Sequence, residues 1–150
     1  MSWVGKISFA QKIRSLFRLK EQAPSSKQPS KPGLVLSDEE LKAIDPLVDE
    51  WVREKLFRLP DRALSDTAAR MGLTWPQLFA WCQQRTGMDF RAWRIRLRIE
   101  DAKELLLKEP EASAATIARK VGYNDRSNFT RHFQQLTGVT PVQWRSQHSI

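Results

Sequence analysis

The sequence predicts an all-α protein, and two observations carry that reading. Every stretch with apolar periodicity repeats at the three-to-four-residue spacing of a helix, and no alternating apolar–polar run reads as a strand. In addition, Gln83, Gln84, Thr86, Gly87, Trp93 and Arg94 recur 51 residues later, at the same internal spacing, as Gln134, Gln135, Thr137, Gly138, Trp144 and Arg145. Upstream, Ala68 to Gly72 lines up with Ala118 to Gly122 at an offset of 50, so the second copy carries one extra residue after its glycine. Small insertions belong in turns. One supersecondary unit is therefore built twice, and a doubled unit suits a doubled target.

A chain of 150 residues, 41% of them hydrophobic and six of them Trp, is long enough for one domain with a real core and an appended tail. Its net charge of +8 is unevenly placed. Residues 1–36 hold seven Lys and Arg against one acid, residues 37–62 five against eight, and residues 63–150 thirteen against eight. The repeats and the N-terminal arm are basic, which suits a polyanionic partner, either nucleic acid or an anionic lipid surface. A lone cysteine, Cys82, excludes an internal disulfide and a Cys-based metal cluster, and it fits a reducing cytoplasm. No apolar run approaches the ~20 residues that span a bilayer, and the N-terminus lacks the features of a signal peptide. A soluble cytoplasmic protein is the expectation.

Taken in order, residues 8–20 place Phe9, Ala10, Ile13, Leu16 and Phe17 on one helical face, with Gln11, Arg14 and Arg18 opposite. This basic amphipathic helix can lie on a membrane surface or dock on a protein partner; the alternative is a segment that packs on its own domain or stays disordered. Residues 21–33 contain three Pro and three Ser without apolar periodicity and read as a linker. Ser37 and Glu40 have capping-box spacing, opening a helix with Leu41 and Ile44 inward. Asp45 followed by Pro46 predicts a break or restart, with Val48, Trp51, Val52 and Leu56 forming the buried stripe of residues 46–58. From residue 63 the pattern is short helix, turn, longer helix, twice over. The first short helix runs from about 64 to Met71 and stops at Gly72. The longer one is capped by Thr74, with Gln77 completing the box, and ends at Gly87. A long helix follows from Asp89 to about Lys108, with Ile95, Ile99, Ala102, Leu105 and Leu106 inward. In the second copy Ser113 caps a helix to Val121, Gly122 turns the chain, Asn124 or Asp125 caps the next helix, and Gly138 ends it. A short helix follows Thr140 and Pro141.

Two helices joined at a glycine turn, the second with a polar outer face, describe a helix-turn-helix. In the second copy's longer helix, Phe129, Phe133 and Leu136 form the core side. Opposite lie Ser127, Arg131 and Gln134, flanked by Asn128, Thr130 and Gln135. All of these can hydrogen-bond and none is acidic. Arg is the usual bidentate partner of guanine, Asn and Gln of adenine, and Ser and Thr serve base or phosphate. In the first copy Leu78 and Cys82 point inward, while Pro76, Ala80 and Gln83 lie opposite, flanked by Gln77, Phe79 and Gln84. An outward Phe79 and Ala80 can touch thymine methyls; the other reading is a face that meets only phosphates or packs against protein. Along the long helix, Arg91, Arg94 and Arg98 form a stripe: Arg91 and Arg94 are assigned to phosphates and Arg98 to a structural role.

Residues from about 46 to 148 resemble the DNA-binding domain of the AraC/XylS family of bacterial transcription regulators. The stretch from Ala115 through Gly122, Ser127, Phe129, Arg131, Phe133, Gly138 and Pro141 to Arg145 carries the resemblance. Trp93, Leu97, Arg98, Ala102, Leu105 and Leu106 are similar to that family's linker helix. The resemblance implies a seven-helix domain, residues 37–150, after an arm and linker at 1–36. It would hold a first helix-turn-helix at about 64–87, a linker helix at about 89–108 and a second helix-turn-helix at about 113–138. It further implies a monomer on double-stranded DNA, two helices in successive major grooves, and RNA polymerase as a further partner. The family's base-reading positions fall on Ser127, Asn128 and Arg131 in the second unit, and on Pro76, Gln77, Phe79 and Ala80 in the first. Gln83 and Gln134 stand where the family often has Lys. The resemblance is to the short type without a large effector domain. Neither a cofactor nor catalysis is expected: Cys82 faces inward without a nearby His, and His132 and His148 have no Cys or carboxylate at ligand spacing. The competing reading is an interaction module that has lost DNA reading, docking through Phe79, Ala80 and Trp81 beside the amphipathic arm.

Overall fold

The computed structural model describes residues 33–60 and 63–149; the amphipathic helix expected at 8–20 and nearly all of the 21–33 linker lie outside them. Among the described residues there are seven α-helices and no strand. They run α1 (Asp38–Arg53), α2 (Leu64–Arg70), α3 (Trp75–Thr86), α4 (Phe90–Lys108), α5 (Ala114–Lys120), α6 (Arg126–Thr137) and α7 (Pro141–His148), with a 3-10 turn at Leu56–Arg58. They fall into two compact units, one of residues 33–56 and 63–93, the other of residues 57–60 and 94–149.

In the first unit, α1 opens with the predicted capping box: Ser37 N–H donates to Glu40 Oε2 at 2.7 Å, and Glu40 N–H to Ser37 Oγ at 3.2 Å. The expected break at Asp45 and Pro46 does not occur, because α1 runs through Pro46 to Arg53. An interior proline costs a helix about 3 kcal/mol. Here the buried residues Leu41 and Ile44 before it, and Val48, Trp51 and Val52 after it, form one uninterrupted stripe, and their burial outweighs that cost. Nor is Asp45 a cap. Its carboxylate accepts from Trp81 Nε1 at 2.8 Å and from Arg85 at 3.1 and 2.8 Å, tying α1 to α3. The helix ends before Lys55, whose φ of 56° turns the chain, so Leu56 is only half-buried and Phe57 is the buried residue. Trp51, Phe90, Trp93, Trp75 and Trp81 form an aromatic core, with Trp81 edge-on to Trp93 at 5.5 Å.

The second unit is built on Ile99, Ala102 and Leu106 of α4, Ile117 and Ala118 of α5, Val121 and Tyr123 of the turn, and Phe129 and Phe133 of α6. Ile95 and Leu105 are only partly buried against this core. Residues 57–59 are strapped to α4 by two side chains. Arg98 donates to the carbonyls of Phe57 at 2.7 Å and Leu59 at 2.9 Å, which is the structural role expected of it. Asp101, fully buried, accepts both donors of Arg58 at 2.5 and 2.8 Å.

The repeated Thr-Gly pair has a physical cause. Thr86 Oγ1 donates to the Cys82 carbonyl at 2.6 Å and accepts from Met88 N–H at 3.1 Å. Thr137 does the same with Phe133 and Val139, at 2.7 and 3.3 Å. Each hydroxyl thus satisfies groups that a helix end would leave open, just before the glycine that terminates α3 or α6. The extra residue of the second copy sits in the turn: Leu73 alone separates Gly72 from its cap Thr74, whereas Tyr123 and Asn124 separate Gly122 from Asp125.

Candidate nucleic-acid interface

Helix α6 presents the clearest polar surface. Asp125 caps it by accepting from Ser127 N–H at 2.8 Å. Phe129 and Phe133 anchor its inner side with no exposure and a ring separation of 5.8 Å. With that side fixed, helical geometry turns Ser127, Asn128, Arg131, Gln134 and Gln135 to solvent, where all five are exposed; Thr130 is half-buried. Ser127, Thr130, Arg131, Gln134 and Gln135 line a shallow open groove, joined by Arg126. Sequence reasoning passed over Arg126, although its place directly after the cap, at the solvent end of the helix, was a usable signal. Arg131 Nη2 donates to Asn128 Oδ1 at 2.8 Å, which orients the guanidinium while leaving most of its donors open. From Arg126 to Thr137 the helix contains no carboxylate, so nothing on it repels an approaching anion.

Behind this face, the Tyr123 hydroxyl lies 2.7 Å from His132 Nδ1 and donates to it when the neutral imidazole carries its proton on Nε2. The Arg98 guanidinium stands over the Tyr123 ring at 5.7 Å. Burial first, then the charges of Arg131 and Arg98, hold the His132 imidazole below its ordinary pKa.

The face of α3 differs from expectation. Ala80, assigned to thymine contact, is buried at 3% exposure and cannot reach a ligand. Phe79 is half-buried, its ring edge-on to Trp75 at 5.8 Å. Gln77 spends its carbonyl on the capping box, accepting from Thr74 N–H at 2.9 Å. Gln84 is clamped: its Oε1 accepts from Leu36 N–H at 2.9 Å and its Nε2 donates to the Leu36 carbonyl at 3.0 Å. Gln83 is half-buried and Pro76 exposed. Two of the three residues of the interaction-module patch are likewise covered, since Trp81 has no exposure and Ala80 almost none.

Of the α4 arginines, Arg91 is exposed as a phosphate contact requires, but Arg94 is buried at 8% exposure and does not present itself to a phosphate. Arg145, its counterpart in the second copy, donates to the carbonyls of Leu106 at 2.9 Å and Glu109 at 3.0 Å at the C-terminal end of α4. Cys82 is fully buried, and burial pushes its thiol up to about 12, so it carries no thiolate at neutral pH. No three His, Cys, Asp or Glu side chains gather to hold a metal among the described residues, and none of their helices is long and apolar enough to cross a membrane.

Two short-helix, turn, long-helix elements in one chain define a tandem helix-turn-helix protein. Residues 67–147 match a family model described as a helix-turn-helix domain. The arabinose operon regulatory protein of Escherichia coli is 30% identical over 111 residues, covering 70% of this chain and 38% of that protein. The transcriptional activator RhaR of Cronobacter sakazakii is 38% identical over 71 residues, 47% of this chain and 24% of that one. Among solved structures, the C-terminal domain of AraT, a response regulator from Geobacillus stearothermophilus, matches with a TM-score of 0.60 and 29% identity, over 77% of this chain and 89% of that domain. The chain belongs to the AraC-type helix-turn-helix family. It spans less than two fifths of the length of the arabinose regulators it matches.

Proposed function

We propose that this chain is a sequence-specific, double-stranded-DNA-binding regulator of transcription. One observation carries the reading: α6 exposes five hydrogen-bonding side chains, with Arg126 beside them, on a face free of carboxylates and held rigidly by Phe129 and Phe133. The major groove admits a helix, and Arg, Asn and Gln supply the paired donors and acceptors its base edges demand. Relatives named as an operon regulator and a transcriptional activator point the same way. In this reading the second helix of each copy approaches one of two successive major grooves, ~34 Å apart, and a single chain binds as a monomer because it carries both copies. The reading places the protein in the cytoplasm, with the DNA it regulates.

Salt dependence of duplex binding, followed by fluorescence anisotropy, tests this. Neutralised phosphates release counterions, so the logarithm of the affinity falls linearly with the logarithm of the salt concentration. A protein making ~6–10 phosphate contacts loses about 10³- to 10⁵-fold between 50 and 200 mM salt. Affinity that ignores salt, or no binding to any duplex, overturns the proposal.

A further inference from the structure

We propose that this chain selects base pairs through α6 alone, and that α3 lies against DNA without reading it. The inference rests on the DNA-binding reading above and compares the two helices slot by slot at the 51-residue offset. Where α6 offers the exposed guanidinium of Arg131, α3 has the buried methyl of Ala80. In the slot of Ser127 stands Pro76, which brings no side-chain donor and removes a backbone N–H as well. Phe79, in the slot of Thr130, is apolar and packed on Trp75.

The glutamines decide the matter, because bidentate reading of adenine uses the amide oxygen and nitrogen together. Gln77 has already given its oxygen to Thr74 N–H. Gln84 is exposed, but its oxygen and nitrogen are each held by a hydrogen bond to Leu36. Releasing Gln84 would strand the backbone N–H and carbonyl of a residue that is only 5% exposed, so base contact there is opposed by an unsatisfied pair inside the protein. Gln83 keeps its amide but is half-buried, whereas its counterpart Gln134 is exposed. What the first unit still supplies is charge for phosphates, through exposed Arg91. The site this protein selects is therefore lopsided: one block of specified base pairs beside a turn of DNA that is covered but unspecified.

The test is in vitro selection from a random duplex pool with the full chain, followed by hydroxyl-radical footprinting of a selected duplex. Protection is expected over about two successive helical turns, with conserved bases in only one. Single base-pair changes in the conserved block should weaken binding roughly 5- to 150-fold, and changes in the other turn less than about twofold. Arg131→Ala should erase a preference inside the block, and Gln83→Ala should erase none. Two conserved blocks centred about one turn apart, or a base preference lost in Gln83→Ala, overturn the inference while leaving DNA binding intact. A pool that shows neither enrichment nor protection brings down the DNA reading itself.

Discussion

Gly72 and Gly122 occupy equivalent turns of the two repeats, yet the structure predicts very different costs for replacing each with alanine. Both have positive φ, 77° and 109°, where an L side chain is strained by about 1–2 kcal/mol. Alanine also narrows the unfolded ensemble, returning about 0.4–1 kcal/mol. At Gly72 a new Cβ meets nothing within 4 Å, so the net loss should be about 0.5–1 kcal/mol. At Gly122 the same atom would stand 2.8 Å from the Arg58 carbonyl oxygen and 2.9 Å from Arg98 Nε. One of them must move. Arg98 is 4% exposed and holds the carbonyls of Phe57 and Leu59, so displacing it forfeits buried, charge-assisted hydrogen bonds worth about 1.5–3 kcal/mol. Gly122→Ala should therefore lose about 2–4 kcal/mol in all. Urea unfolding of the full chain, followed by circular dichroism, measures both variants. Equal losses, within about 0.5 kcal/mol, would refute the assignment of Arg98 and the 57–59 strap as a close-packed support beneath this turn.

The strap makes a second prediction through its other anchor. Asp101→Asn leaves Arg58 without its carboxylate, and because Arg58 is partly exposed the expected loss lies at or below the low end for a buried pair, about 2–3 kcal/mol in urea unfolding. His132 gives stability a pH dependence. Its folded pKa lies below the unfolded value of about 6.5, so the unfolded chain binds the proton first as pH falls. Stability should be full above about pH 6.5 and decline below it, and His132→Gln should flatten that slope in unfolding curves taken at stepped pH.

Local chemistry made most of the architecture legible. Ser37, Thr74 and Ser113 each cap the helix expected of them, and Asp125, one of two candidates, caps α6, because a cap and its N–H partner lie within three residues. The outer face of α6 was equally readable, since Phe129 and Phe133 fix its orientation by periodicity alone. What escaped was non-local. Asp45 before Pro46 has the form of a cap, but its carboxylate is committed to Trp81 and Arg85, 36 and 40 residues away. Gln84 appears free on a helical wheel, yet Leu36, 48 residues earlier, bonds both its amide oxygen and its amide nitrogen. Arg94 belongs to an arginine stripe in sequence and to the interior in three dimensions. A wheel shows which way a side chain points from its own helix, not what the rest of the chain lays over it.

The account turns on the exposed, carboxylate-free face of α6 gripping base edges, and Arg131 is its most telling residue. Anisotropy titrations of wild type and Arg131→Ala against a selected duplex and its single-base variants, at one fixed salt concentration, address it directly. The expected result is a loss of about 1–3 kcal/mol in specific binding, with discrimination erased at one base pair and kept elsewhere. Unchanged affinity and unchanged preference in a variant that still folds would contradict the account.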